Sequence, residues 1–323
     1  MRIIVTGCCG FIGSNLAEGL LKQGHQVLGI DNMNDYYDVS RKINNMNRLK
    51  KYINFFMEVI DVNKSDYFLR WKPDVIFHLA SRAGVRHSLM YPTQYIDDNV
   101  RSMVHILDYL KKWNETTEIY GSKLPKFIYA SSSSVYGSNK KVPFNENDSL
   151  DNIESPYALS KKVSEEYAKL YYKLYGIKSI GLRFFTVYGP NGRPDMAPEK
   201  FLKCIYEEKP LPKYGTGESQ RDYTFVGDIV HGLINSIYAE VDCDVFNLGN
   251  NQVISLNDFI LLCEKIVGKK AIINQMDNQK GDVPITYANI EKSKKILKYN
   301  PITNLENGLT KTFEWIKNEL LFK

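Results

Sequence analysis

Cysteine is sparse in this sequence and builds no framework. Cys8, Cys9, Cys204, Cys243 and Cys263 are odd in number and lack zinc-like spacing. Neither a disulfide scaffold nor a structural zinc site is expected, and reduced thiols in a reducing compartment account for them. Cys8-Cys9 lies inside a glycine loop, where packing of small residues explains it better than redox chemistry. No apolar run approaches the ~18 residues of a membrane span, so no membrane partner is expected. His78, His87 and the other histidines show no paired ligand spacing, which leaves them structural or surface residues and the chain without an expected metal. No block of like charge occurs. The 42 basic and 37 acidic residues give a net charge of +5, and the basic ones come as scattered pairs such as Lys50-Lys51 and Lys269-Lys270, so no nucleic-acid partner is expected. Repeats and low-complexity tracts are missing. The start, MRIIVTG, lacks the basic and apolar regions of a signal peptide, and a cytoplasmic protein is expected.

What remains is a chain of 323 residues, 43% hydrophobic, long enough to bury a sizeable core without staples. Its first half alternates strands and helices. Strands are predicted at Ile3 to Thr6, Gln26 to Ile30, Ile53 to Val59, Asp74 to Leu79, Lys126 to Ala130 and Ser179 to Phe184. Apolar spacing predicts helices over Phe11 to Lys22, ended by Gly24, and Thr93 to Trp113. Asn114 to Pro125 is polar and reads as a loop. Ser155-Pro156 opens a helix that stops at Gly176. This βαβ series predicts an α/β fold: a Rossmann-type doubly wound parallel sheet with a smaller, mixed α/β C-terminal substrate domain. The expected division is residues 1–186 for the nucleotide-binding domain and 187–323 mainly for the smaller one, with a return to the first around 225–250.

Thr6-Gly7-Cys8-Cys9-Gly10-Phe11-Ile12-Gly13 sits between the first strand and its helix. Gly7 permits the turn, Gly10 lets backbone approach a pyrophosphate, and Gly13 lets the helix pack closely on the sheet. The first amides of the helix face the negative charge. Asp31 ends the next strand, where a carboxylate accepts from both ribose hydroxyls and repels a 2′-phosphate. NAD is therefore the expected cofactor. Asp61-Val62, after the third strand, is placed to meet the adenine.

Tyr157 and Lys161 stand at i and i+4 on one helix face. A phenol titrates near ~10; a neighbouring ammonium and a positive nicotinamide ring favour its phenolate, so Tyr157 is a candidate base. The preceding strand runs into Ser131 to Ser134, at the sheet end where ligands collect in such folds.

Glycine loop, serine-rich strand end before Val-Tyr-Gly, and Tyr-x-x-x-Lys together resemble the extended short-chain dehydrogenase/reductases. Within them the chain is most similar to the UDP-glucuronate 4-epimerases. The carrying segments are DNMNDYYDVSRK (31–42), HLASRAGVRHS (78–88), ASSSSVYG (130–137), LRFFTVYGPNGRPDMA (182–197), RDYTFVGDI (221–229) and GDVPITYAN (281–289). The resemblance implies a catalytic trio of Ser132, Tyr157 and Lys161. It puts Phe11, Ile12, Asn32, Leu79, Ala80, Ser81, Arg82 and Asn99 near the cofactor, which Tyr157 and Lys161 also touch. Ser133, Ser134 and Thr186 would hold a sugar carboxylate, Arg86 and Arg193 would contact substrate, Arg221 the diphosphate and Asp282 the uridine ribose. Residue by residue, two readings stand: Ser133 and Ser134 also suit strand-end backbone capping, and Arg193 and Arg221 also suit a plain surface.

The implied activity is 4-epimerisation of UDP-glucuronate to UDP-galacturonate through a 4-keto sugar, by a homodimer paired through the helices near 93–113 and 156–175. Related dehydratases carry Asp-Glu where Ser133-Ser134 stand, and UDP-glucuronate decarboxylases a glutamate at Ser134. Epimerases of neutral UDP-hexoses, a plain reductase and a non-catalytic NAD-binding protein are the alternatives. Departures from the family pattern fall at Ser81-Arg82, His87, Ala197-Pro198-Glu199 and Asn289.

Overall fold

Ile3, Ile4 and Val5 are all fully buried, because β1 (Arg2–Thr6) is covered on both faces and needs no polar alternation. In the computed structural model, which describes residues 1–65, 70–120, 123–279 and 281–321, this strand lies inside a seven-stranded sheet. Its partners are β2 (Gln26–Asp31), β3 (Phe55–Val59), β4 (Val75–His78), β5 (Lys126–Ser132), β6 (Ser179–Phe184) and β11 (Cys243–Leu248). The order is β11-β6-β5-β4-β1-β2-β3, and every pairing is parallel. One apolar layer joins the Phe11–Lys22 and Val226–Ser236 helices to the sheet. The other carries Ser102–Tyr120 and Pro156–Tyr175.

The sheet is the expected one, and several boundaries follow from local chemistry. Ser155 accepts the Ala158 N–H at 3.1 Å, Pro156 opens the helix, and Gly176 ends it in a left-handed conformation. The region read as one helix from Thr93 is broken: Pro92–Tyr95 is a short turn, Ile96–Arg101 a π segment, and the α-helix proper starts at Ser102. It then continues through Tyr120, so the predicted loop begins too early. The polar tail finds its own partners, Asn114 Nδ2 donating to Tyr175 O at 3.1 Å and Lys111 pairing with Glu115 at 3.9 Å. Gly121 and Ser122, also read as loop, lie outside the described residues.

Short strands form the smaller domain. β7 (Thr186–Tyr188) pairs with β10 (Tyr223–Phe225), β8 (Pro210–Tyr214) with β13 (Ile272–Met276), and β9 (Gln220–Arg221) with β12 (Ile254–Ser255) and β14 (Ile285–Thr286). The helices Ala197–Tyr206, Leu256–Val267 and Leu305–Leu321 close a third core around Leu202, Phe259 and Leu309. Described cysteines are all free. Cys8, Cys9 and Asp31 offer ligand atoms within 4.8 Å of one another; burial pushes the Cys8 thiol up, and its sulfur packs 3.5 Å from Met57 Sδ.

Candidate active site

The sheet's carboxyl edge and the smaller domain enclose a cleft of about 1270 Å³. At one end is the glycine loop. Gly7 has φ +69°, and a Cβ there would fall 2.8 Å from Ala80 N; one on Gly13 would fall 2.1 Å from Gly7 O. Only glycine meets both conditions. Gly10, Phe11 and Ile12 also line the cleft, at the amide-rich start of the Phe11–Lys22 helix. This is a cradle for a pyrophosphate, and the residues present fit a dinucleotide.

Asp31 closes β2 beside that loop and is 5% exposed. Its Oδ2 accepts the Cys9 N–H at 3.1 Å and its Oδ1 the Met33 N–H at 2.9 Å. Lys42 Nζ lies 3.6 Å from Oδ1, a counter-charge that reading the sequence missed. Asn32 donates to Asp61 Oδ2 at 3.4 Å, and Asp61 caps the turn at Val62 through Asn63 N–H at 2.8 Å. Leu79, Ala80, Ser81 and Arg82 follow β4 along the floor. Asn99 is not on the lining. It is 2% exposed and its amide is spent on Arg82 O at 3.0 Å and Ser160 Oγ at 2.9 Å, while its oxygen accepts the Arg82 N–H at 2.7 Å. Ser160 in turn donates to Tyr157 O at 2.7 Å, so Asn99 acts on the cleft through Arg82 and through the backbone of Tyr157.

Ser132, Tyr157 and Lys161 converge midway along the cleft. Ser132 Oγ accepts the Ser134 N–H at 3.2 Å, which leaves its hydroxyl hydrogen for the Tyr157 phenol oxygen. Burial raises the phenol above its ordinary range; the Ser132 hydrogen bond and the Arg193 charge pull it back, and Tyr36 adds to the rise. Lys161, one helical turn on from Tyr157, donates to Ala130 O at 2.9 Å, and burial brings it down to about 7, against the pull of Glu165. An ammonium so poised exchanges its proton near neutrality. His78 is brought to about 3 by burial, then by Lys161 and His105, and bridges Thr6 and Ser102 at 2.9 and 3.1 Å, a structural role as expected.

Beyond the trio, Ser133, Ser134 and Thr186 line the cleft. Thr186 is fixed by its N–H donating to Asp222 O at 3.1 Å. Arg193 reaches the same region. Its Nε donates to Asp195 Oδ1 at 3.0 Å, its Nη2 bonds Asp195 Oδ2, and its Cζ lies 5.3 Å from the Tyr36 ring centre. Arg82 faces the same ring at 5.4 Å and pairs with Asp98 at 2.6 Å. Tyr36, whose hydroxyl donates to Ala83 O at 2.7 Å, is thus flanked by two guanidinium groups. It sits in the DNMNDYYDVSRK segment that carried the resemblance, yet nothing in its spacing signals this place.

At the far end Arg221 donates to Gln220 O at 2.8 Å. Burial lowers its pKa, Tyr223 and Asp282 oppose that, and Arg86 adds to it. A half-buried guanidinium beside another cation suits an anionic ligand. Arg86 and Asp282 meet across the mouth at 2.8 Å, their side chains 48% and 36% exposed, and Arg86 covers the Tyr214 ring at 4.6 Å.

Fold and cleft together define a dinucleotide-binding enzyme scaffold with a Ser-Tyr-Lys centre and a second, anion-seeking compartment. Residues 4–312 match the family model described as GDP-mannose 4,6 dehydratase, and the chain belongs to this extended short-chain dehydrogenase/reductase family. It is 40% identical to a UDP-glucuronate 4-epimerase of Thermodesulfobacterium geofontis, over 98% of this chain and 96% of the relative. The crystal structure of UDP-glucuronic acid 4-epimerase from Bacillus cereus, in complex with UDP-glucuronic acid and NAD, superposes with TM-score 0.91 at 34% identity, covering 99% and 100% of the two chains. A UDP-glucose 4-epimerase from Thermotoga maritima, with UDP-glucose, superposes with TM-score 0.87 at 29% identity, covering 99% and 100%.

Proposed function

We propose that this protein is an NAD-dependent 4-epimerase of a UDP-sugar, with UDP-glucuronate and UDP-galacturonate as its substrate pair. The observation that carries the reading is the compartment beyond Ser132 and Tyr157: three hydroxyl residues, Ser133, Ser134 and Thr186, on the same cleft as Arg193. That set suits a carboxylate. It also lacks the Asp-Glu pair that related dehydratases carry at the places of Ser133 and Ser134, and the glutamate that related decarboxylases carry at the place of Ser134.

Bound at the glycine loop and Asp31, NAD supplies reversible acceptance of a hydride from the sugar C4. The chain's own residues do the rest. Tyr157, with Ser132 hydrogen-bonded to it, takes the 4-hydroxyl proton and later returns it; Lys161 tunes and relays. Arg221 and Asp282 hold the nucleotide while the sugar turns between the two half-reactions. The 4-keto uronate is a β-keto acid that loses carbon dioxide when its carboxylate bond aligns with the carbonyl π system. Ser133, Ser134, Thr186 and Arg193 clamp the carboxylate out of that alignment.

We also propose a homodimer. Leu159, Leu170 and Leu174 on the Pro156–Tyr175 helix are 51%, 45% and 56% exposed, and their spacing of eleven and four places them on one face. A second copy of the same face would cover them.

The test is incubation of the purified protein with UDP-glucuronate, without added NAD, followed by NMR of the anomeric protons. UDP-galacturonate appearing with no gas release is expected. UDP-xylose or a 4-keto pentose would make the protein a decarboxylase. Turnover of UDP-glucose or UDP-N-acetylglucosamine alone would move the substrate to a neutral sugar.

A further inference from the structure

Arg41 and Glu199, 158 residues apart in the chain, meet inside the molecule. Arg41 belongs to the Val39–Leu49 helix, which follows the Asp31 loop. Glu199 is in the first turn of the Ala197–Tyr206 helix, just after the loop that carries Arg193. The guanidinium grips the carboxylate as a fork, Nη1 to Oε2 at 2.9 Å and Nη2 to Oε1 at 2.5 Å, with the two side chains only 17% and 5% exposed. The same Nη1 donates to the carbonyl of Gly192 at 3.0 Å, the residue immediately before Arg193. Trp315 stacks over the group, its ring centre 5.6 Å from Cζ.

Neither residue lines the main cleft, so neither touches substrate. Taking two charges out of water is costly, and an apolar pair of similar size is often as stable; what the ion pair adds is direction. A guanidinium can satisfy a carboxylate and a neighbouring carbonyl at once, which a single ammonium does poorly. Gly192 is itself crowded, since a Cβ there would lie 2.9 Å from Gly189 O and 3.5 Å from Glu199 Oε2. Glu199 also falls in the Ala197-Pro198-Glu199 stretch, where the sequence departs from the family pattern.

We propose that Arg41, locked by Glu199, is a positioning residue for Arg193: it pins the Gly192 carbonyl and thereby aims the Arg193 guanidinium at the sugar carboxylate. The chain thus couples the segment behind the cofactor's ribose site to the clamp that recognises an acidic sugar. The inference rests on the uronate reading above.

The test is Arg41→Lys in the full chain, with kcat and KM for UDP-glucuronate, the inhibition constant of UDP, and bound NAD all measured. Lysine keeps the charge for Glu199 and loses the second bond to Gly192. KM for UDP-glucuronate should rise roughly tenfold, while UDP inhibition and NAD content stay within about twofold. A KM that does not move overturns the proposal, and so does a parallel loss of UDP affinity, which marks collapse of the whole cleft. If Arg41→Lys fails to fold, the apolar pair Arg41→Met with Glu199→Leu removes both charges together. It should fold and still show the raised KM, because Gly192 has lost its donor; an unchanged KM there also overturns the proposal. Wild-type protein that does not turn over UDP-glucuronate sinks the uronate reading and this inference with it, whereas an active wild type with unaffected variants sinks the inference alone.

Discussion

Tyr157 carries its phenol at a point where burial works against ionisation and Ser132 and Arg193 work for it. Tyr157→Phe removes the proton acceptor and leaves the cleft intact, so kcat should fall about 10²–10⁴-fold with UDP binding retained; kcat falling less than tenfold would remove Tyr157 from the chemistry. Lys161 gives a pH signature. Its folded value, about 7, lies below the ordinary 10.5. Between those limits the unfolded chain holds a proton that the folded chain has released, so stability rises as pH rises through the window. Lys161→Met should flatten that slope, which is at most about 1.4 kcal/mol per pH unit for one group, as measured by denaturant melts from pH 7 to 10. Gly13→Ala drives a Cβ to 2.1 Å from Gly7 O. It should cost about 1–3 kcal/mol and lower NAD content in the purified protein. These glycine and Tyr/Lys positions were legible in the sequence because each is a short local pattern. Tyr36, Lys42, Arg41 and Glu199 were not. Their roles arise from groups brought together by tertiary packing, which no spacing encodes.

At the scale of elements, the Pro156–Tyr175 helix and β6 are tied below the cleft by a buried ion pair. Arg183 and Glu165 are 2% and 0% exposed and meet at 2.7 Å. Glu165 also accepts from Ser131 at 2.5 Å, and Arg183 donates to Tyr136 at 2.8 Å. Arg183→Met alone leaves a buried carboxylate unpaired and should cost about 3–5 kcal/mol, whereas adding Glu165→Met should recover much of it. Thermal melts of both single variants and the double would decide; a double-variant loss equal to the sum of the two single losses would mean the pair contributes no coupling. Elements with strong punctuation were read closely. The serine cap, proline and terminal glycine fixed Pro156–Tyr175 to the residue. The π segment at Ile96–Arg101 was missed because its apolar spacing still passes for an α-helix. The two- and three-residue strands of the smaller domain are too short to show any period.

For the whole molecule, the alternation of strands and helices in the first half announced the parallel sheet with a smaller, mixed second part after it. What the chain order could not reveal is how the second part folds over the sheet edge to make the cleft. The exposed leucines at 159, 170 and 174 give the assembly its test. Leu170→Glu with Leu174→Glu should convert a dimer to a monomer in sedimentation or light scattering; a wild type already monomeric at micromolar concentration would end the dimer proposal.

The last strand of the sheet, β11, is made only after the chain has left to build β7 through β10. Its neighbour β6 has every residue buried. Cutting the chain near Tyr188 would therefore bare the edge of an apolar strand rather than free a finished module, and such an edge invites aggregation. The two parts are stitched, not strung: they cannot be exchanged between relatives as separate cassettes, and a protease entering the loops of the smaller part should yield nicked protein that stays together until it precipitates.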